Sequence, residues 1–483
     1  MLNSLKSLNR LYQEHPSKII FEEDGMPIHI KEFAEYCMTY IEHHAVHQMN
    51  IGLFANNGVQ WSIAECGLSA TPNTLVPLPR FFSDDQLKGI IEDAQLDLIY
   101  TDQSNFERIS KLFDNTQLFL TGSKSYFKIP YDDDLIHQRI IYTSGTTGKP
   151  KGVIQTDKQI NFVCNALVEH FNINCNDKYF SLLPSSTLLE QIASIHCILQ
   201  GSACTVFKPS ISNDIFNLKE NFVEEIAKHK ANLLCLTPAL LDVFIKSYQE
   251  SEKLFTYPFK AITVGGSKAP VAILQKAKDL KLPIVEGYGL SECCSVVAVN
   301  HPSTNKIGTV GKILPGMDVK IQEGEICIKS PSLMNGYKQK SIFKDMYYPT
   351  GDLGEIDNEG YLTVLGRKDN IIPLKNGRNI NPSWIEDLVS KNLNLIDVYA
   401  FNNTHNEFSL AIRLPENMSS INIKSQIKKF VPEYAMPEHV YTIQPEFITK
   451  NTLINSSGKI DKFKLQHIIN LNLKKERKDY EVL

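Results

Sequence analysis

From residue 18 to about residue 300, short apolar runs alternate with longer amphipathic ones, and this alternation limits the possible folds of the 483-residue chain more than any other feature. Strands covered on both faces read as nearly continuous apolar runs, whereas the helices covering them show a 3.6-residue period. Residues 51–56, 74–77, 96–101, 233–236 and 261–264 read as such strands, and residues 61–69 and 83–94 as helices. The pattern predicts parallel α/β layers. After residue 305 the texture becomes β-rich, with short strands at 319–321 and 325–328 separated by glycine turns. A charged patch at 367–370 then precedes a segment with its own strands and helices. The expected fold class is therefore α/β. Residues 1–366 would form a large N-terminal domain of stacked α/β sheets with a β-rich subdomain, and 367–483 a small α+β C-terminal domain.

A net charge of −4 gives no global attraction to nucleic acid or to an anionic membrane, so an anionic partner would need a local cluster, and no nucleic-acid partner is expected. The ten cysteines include no CxxC pair or metal-ligand spacing, and neighbouring Cys293 and Cys294 are poorly placed to bridge each other. Reduced thiols in cytoplasm are the expectation. The first 18 residues are interrupted by charge, unlike a signal peptide. No stretch approaches the roughly 18 uncharged apolar residues of a membrane span. No transmembrane segment is expected, and peripheral membrane contact is left open.

Residues 142–153 read YTSGTTGKPKGV. Gly145, Gly148 and Gly152 free the backbone to turn amide N–H groups toward an anion; Thr143, Ser144, Thr146 and Thr147 add hydroxyl donors, and Lys149 and Lys151 positive charge. Such a loop is suited to phosphate. A nucleoside-triphosphatase P-loop has four residues between its first glycine and the GK pair and a Ser or Thr after the lysine; here there are two, and Pro150 follows. A strand is expected after the loop, with a helix only from the capping-box pattern of Thr156 and Gln159. The loop thus joins two strands, where a P-loop joins strand to helix.

With these residues in view, the chain resembles the acyl-adenylate-forming superfamily, which includes acyl-CoA synthetases, firefly-type luciferases and the adenylation domains of peptide synthetases. The resemblance covers nearly the whole chain. Its motifs occur in order: YTSGTTGKPKGV, then YGLSE at 288–292, GEICIK from Gly324, MNGY at 334–337, YPTGD at 348–352, GRKD at 366–369 and SSGKID at 456–461. KNGRNINPSWIE at 375–386 and NTLINSSGKID at 451–461 look most like the long-chain fatty acyl-CoA and acyl-carrier-protein synthetase branch.

The resemblance implies a two-step, cytoplasmic ligase. A carboxylate, taken to be a fatty acid, attacks the α-phosphate of ATP to give acyl-AMP and pyrophosphate. A thiol of CoA, or the phosphopantetheine of an acyl carrier protein, then displaces AMP. An aryl or other acid stays open as substrate. The implied nucleotide-binding residues are Thr143, Ser144, Gly145, Thr146, Thr147, Gly148 and Lys149 on the phosphates, with Gly266, Tyr288, Gly289, Ser291, Asp352, Arg367 and Lys459. Tyr288 would offer a face to adenine, Asp352 would accept from the ribose hydroxyls, and Glu292 would hold Mg²⁺. Lys459, Thr147 and Glu292 are the implied catalytic residues, and Asp369 the implied pivot of a mobile C-terminal domain hinged near 367–370.

Amino-acid-activating relatives carry an aspartate before their pocket, whereas YFSLLPSSTLLEQ at 179–191 has no acid until Glu190, which disfavours an amino-acid substrate. Leu188, Ile192, Ile195 and Leu199 share one helical stripe, either pocket wall or plain core. His196 reads as a packed histidine. Lys268, in VGGSKAP at 264–270, has no evident role.

Overall fold

The computed structural model describes residues 1–46, 48–129, 137–143, 150–212, 222–338, 340–341, 346–368, 372–374, 379–395, 397–403, 407–414, 423–443 and 462–474. Two large sheets dominate. In one, Ile19–Glu23, Cys204–Phe207, Lys178–Phe180, Leu233–Leu236, Ala261–Val264 and Ile284–Tyr288 lie side by side in parallel. In the other, Thr116–Leu118, Leu98–Thr101, Asn50–Phe54, Thr74–Pro77 and Gln138–Thr143 run parallel, and Lys151–Thr156 continues the sheet antiparallel. Every residue of Leu98–Thr101 and Leu233–Leu236 is buried, which is why these strands read as nearly continuous apolar runs. Cys204–Phe207, a strand not singled out from the sequence, is buried throughout as well.

One apolar core is shared by both sheets. Phe21, Phe180 and Leu236 from the first meet Ile51, Leu53 and Leu75 from the second, through helices Asn3–Glu14, Ile30–His44, Val59–Leu68 and Asp157–His170. A separate core on the outer face of the second sheet seats helix Asp84–Ala94, which opens on a capping box between Ser83 and Gln86. The predicted α/β layering is thus observed.

The β-rich stretch is an antiparallel sheet of Asp318–Gln322, Glu325–Lys329, Tyr348–Ile356 and Leu362–Arg367, whose apolar face packs with Tyr288 and Leu290. Beyond it, helix Pro382–Leu393 and strands Val398–Asn402, Phe408–Arg413 and His439–Ile443 share a further core of their own. No helix among the described residues is long and apolar enough to cross a membrane. All ten cysteines are free, and nine of them are buried.

Candidate active site

Gln138–Thr143 and Lys151–Thr156 pair antiparallel from Gln138↔Thr156 to Thr143↔Lys151, so the glycine- and hydroxyl-rich loop connects two strands as expected. The following helix starts at Asp157, where the Gln159 side chain accepts the Thr156 backbone N–H at 2.9 Å. Thr143 ends the first strand. Ser144, Gly145, Thr146, Thr147, Gly148 and Lys149 lie outside the described residues, as do Asp369 and Lys459.

Two hydrogen bonds clamp the Ser291–Cys293 turn to this hairpin and to the Leu333–Met334 segment, and a third ties that segment to the helix after the hairpin. Gln155 Nε2 donates to the Ser291 carbonyl at 2.6 Å, the Met334 N–H to the Glu292 carbonyl at 2.7 Å, and Gln159 Nε2 to the Leu333 carbonyl at 2.9 Å. Tyr337, paired with Val153, donates its hydroxyl to Glu292 Oε1 at 2.8 Å. Glu292 therefore stands beside the strands that carry the loop, with one oxygen held in place. Among the described residues no three His, Cys, Asp or Glu side chains gather as an all-protein metal cage. A single oriented carboxylate does fit Mg²⁺, which usually takes one or two carboxylates and fills its shell with water and substrate phosphate oxygens.

A second group forms where the first large sheet meets the β-rich sheet. Asp352 and Arg367 are register partners on adjacent strands. Arg367 Nη1 donates to Asp352 Oδ1 at 3.1 Å and to the Thr350 carbonyl at 3.2 Å, while the Tyr288 hydroxyl donates to Asp352 Oδ2 at 2.6 Å. Burial and the Asp352 carboxylate push the Tyr288 hydroxyl far above its ordinary range, so it stays a donor. Tyr288, Asp352 and Arg367, which are 64 and 15 residues apart along the chain, thus form one unit. The sequence reading gave Tyr288 only a flat face; its hydroxyl also orients Asp352. At Gly289 an added Cβ would lie 1.6 Å from the Ser295 carbonyl oxygen, so no side chain fits there.

Next to this unit lies a cavity of about 270 Å³. It extends from Gly266 and the Tyr288–Ser291 segment, along the helical segment that begins at Leu188, to Leu167 and Phe171. None of its lining side chains carries a charge. Gly266 takes φ +80°, a left-handed conformation that favours glycine, and so presents backbone to the cavity. Tyr179 lines the cavity and donates its hydroxyl to Glu190 Oε2 at 2.7 Å, while Ser181 Oγ donates to Glu190 Oε1 at 2.6 Å. Burial raises the Glu190 carboxyl to about 7 despite these hydrogen bonds, which favour its charged form.

The stripe of Leu188, Ile192, Ile195 and Leu199 is only half wall. Leu188 and Ile192 line the cavity, whereas Ile195 and Leu199 are buried core. The cause is a π-helical turn at Ile192–His196. Its wider turn shifts the face, so Leu189, Ala193, Cys197 and Ile198 complete the wall. His196 is packed as expected: Nδ1 lies 2.9 Å from Ser4 Oγ, and Nε2 lies 3.0 Å from Glu65 Oε1. Sequence reasoning missed Arg139, whose Nη1 donates to Glu65 Oε1 at 2.9 Å and Gln191 Oε1 at 2.8 Å. An arginine inside the apolar run QRIIYT was the available signal. It also missed Tyr337, although MNGY had been singled out.

Comparison with known proteins agrees with this layout. The AMP-binding enzyme family model matches residues 40–338. A 2-succinylbenzoate–CoA ligase of Bacillus pumilus is 27% identical over 359 residues, 70% of this chain and 71% of that one. A malonate–CoA ligase of Arabidopsis thaliana is 24% identical over 407 residues, 75% of this chain and 67% of that one. Across the curated relatives compared, the matched stretch spans between 52% and 78% of their own length. The structure of o-succinylbenzoate CoA synthetase from Bacillus subtilis in complex with its acyl-adenylate intermediate superposes with a TM-score of 0.78 at 21% identity, covering 96% of this chain and 98% of that one. Since the family model spans well over half of the sequence, including both strands that bear the phosphate-type loop, the chain belongs to the AMP-binding enzyme family.

Proposed function

We propose that the protein is an AMP-forming acid–CoA ligase for an apolar monocarboxylic acid of the fatty type. In the first step one carboxylate oxygen attacks the α-phosphorus of ATP, and the bond to the pyrophosphate oxygen breaks. In the second the thiol sulfur attacks the acyl carbonyl and AMP leaves with the carboxyl oxygen. The chain's task in the first step is to bring two anions together, which demands fixed positive charge and hydrogen-bond donors. Thr143 and the loop of Ser144, Gly145, Thr146, Thr147, Gly148 and Lys149 would hold the β- and γ-phosphates. Asp352, braced by Tyr288 and Arg367, would accept from the ribose hydroxyls. Glu292 would hold Mg²⁺, which when bound neutralises phosphate charge. Lys459 would approach the reacting carboxylate from the C-terminal segment, turning about Asp369, and withdraw for the thiol.

The observation that carries the substrate class is the uncharged lining of the cavity beside Tyr288 and Gly289. The relatives are named for 2-succinylbenzoate and malonate, each of which keeps a second carboxylate after the first is activated. Buried here without a cation, that carboxylate would cost several kcal/mol. An uncharged alkyl or aryl tail meets no such penalty. The volume, just under the roughly 300–1,000 Å³ usual for ligand pockets, favours a short or medium tail.

The test is carboxylate-dependent ATP–pyrophosphate exchange across straight-chain acids, benzoates, 2-succinylbenzoate and malonate, followed by mass spectrometry with CoA or holo carrier protein. Exchange with apolar monoacids and an acyl-CoA product are expected. Exchange confined to the diacids would overturn the substrate class; thioester only on the carrier protein would overturn CoA.

A further inference from the structure

Lys268 stands two residues after Gly266 in the turn that leaves strand Ala261–Val264, beside the cavity. Its ammonium donates to the Val364 carbonyl at 3.2 Å and to Asp387 Oδ2. Asp387 lies 119 residues further along, on helix Pro382–Leu393. That helix packs on helix Val271–Asp279 and strand Leu362–Arg367. The next residue after the lysine, Ala269, gives its N–H to Glu286 Oε1 at 2.7 Å, from the strand that carries Tyr288. The turn is therefore held from two sides: by the strand of the candidate nucleotide site and by a helix of the C-terminal segment. Both side chains of the ion pair keep about a third of their surface in water, at 31% and 32%, so the pair is neither buried nor freely solvated.

We propose that Lys268 is a positioning residue which, by docking to Asp387, holds the C-terminal segment in one of the two placements that the two half-reactions require. The proposal rests on the two-step reading above. One protein must place its small lobe twice, so any contact present in only one placement biases the partition between the steps. Lys268 is well suited to that role because its backbone belongs to the cavity-lining turn and its charge to the lobe contact. A partly exposed pair is a weak tie, which suits a contact that must break in every cycle.

The test compares Lys268→Ala, Lys268→Arg and the charge swap Lys268→Glu with Asp387→Lys, all in the full chain. ATP–pyrophosphate exchange reads the first step; thioester formation from supplied acyl-AMP reads the second. Lys268→Ala should change the ratio of the two rates by about 2- to 5-fold, the scale of a partly exposed ion pair. The arginine variant and the swap should return the ratio toward that of the unaltered protein. Equal changes in both rates, or a swap no better than the alanine variant, would overturn the role. Placement is read independently of catalysis by Förster transfer between a label on exposed Cys175 and one on Asn392→Cys. Lys268→Ala should shift the transfer distribution, and an unchanged distribution would also overturn the proposal. An unaltered protein that forms no acyl-AMP while Lys268→Ala still shifts the transfer would refute the two-step reading alone.

Discussion

Tyr337 donates its hydroxyl to Glu292 Oε1 at 2.8 Å and lies 3.1 Å, oxygen to oxygen, from the hydroxyl of Tyr348. Burial, Tyr348 and the Glu292 carboxylate push the Tyr337 hydroxyl well above its ordinary range, so it keeps its proton and orients the acid. A group that orients a metal-binding carboxylate typically accounts for about 10- to 100-fold in metal affinity. Tyr337→Phe should therefore raise the Mg²⁺ concentration for half-maximal pyrophosphate exchange by about 10-fold. Magnesium titration of the exchange rate checks this. If neither Tyr337→Phe nor Glu292→Gln alters the titration, Glu292 does not hold the metal.

Arg139 and Glu65 form an ion pair at 2.9 Å with both side chains fully buried, and Glu65 also accepts from Trp61 Nε1 at 3.2 Å. Removing one partner strands a charge, at a cost of about 3–5 kcal/mol. Arg139→Met should lower unfolding stability by that amount in urea titrations. Burial alone would raise the Glu65 carboxyl, but His196 and Arg139 outweigh it and bring it down to about 2. A folded value below the ordinary 4.5 adds stability that is complete above that pH and lost as pH falls toward 2. The variant should lose less stability than the unaltered protein over that interval. Identical acid profiles would assign the network no such linkage.

These two sites show how far the sequence could be read. Residues 74–77, 233–236 and 261–264 fall where strands Thr74–Pro77, Leu233–Leu236 and Ala261–Val264 lie, because burial on both faces leaves an unmistakable local trace. Tyr288, Asp352 and Arg367 were legible as separate motif letters, but the bonds joining them were not. The π-helical turn at Ile192–His196 leaves no periodic signature, so a stripe drawn at 3.6 residues per turn lost the wall after Ile192. Arg139 with Glu65 and Lys268 with Asp387 are 74 and 119 residues apart, and no local pattern announces such partners.

Glu190 supplies a pH dependence of opposite sign. Burial raises its carboxyl from 4.5 to about 7. A folded value above the unfolded one contributes stability that is complete below about pH 4.5 and lost as pH rises through about 7. Glu190→Gln cannot ionise, so its melting temperature should fall less than that of the unaltered protein between pH 5 and pH 8. Glu286, also raised to about 7 chiefly by burial, titrates in both proteins and cancels from the comparison. Thermal scans at the two pH values give the answer; equal drops would show that Glu190 does not titrate in this interval.

Ala193 is the small residue on the π-helical part of the cavity wall, with Leu189 and Cys197 on either side along the chain. A larger side chain there removes volume from the cavity proposed to hold the acyl tail, while Asp352 and Arg367 lie outside its lining. One methylene of lost room in an apolar pocket is worth about 1–3 kcal/mol. Ala193→Phe should lower kcat/KM for the longest accepted acid by at least about 10-fold, spare acids several carbons shorter, and leave the ATP KM within about twofold. Steady-state kinetics over the chain-length series measures this. A uniform loss for every acid would mean that the cavity does not hold the acyl tail, because a wall that crowds only the far part of a substrate discriminates by length.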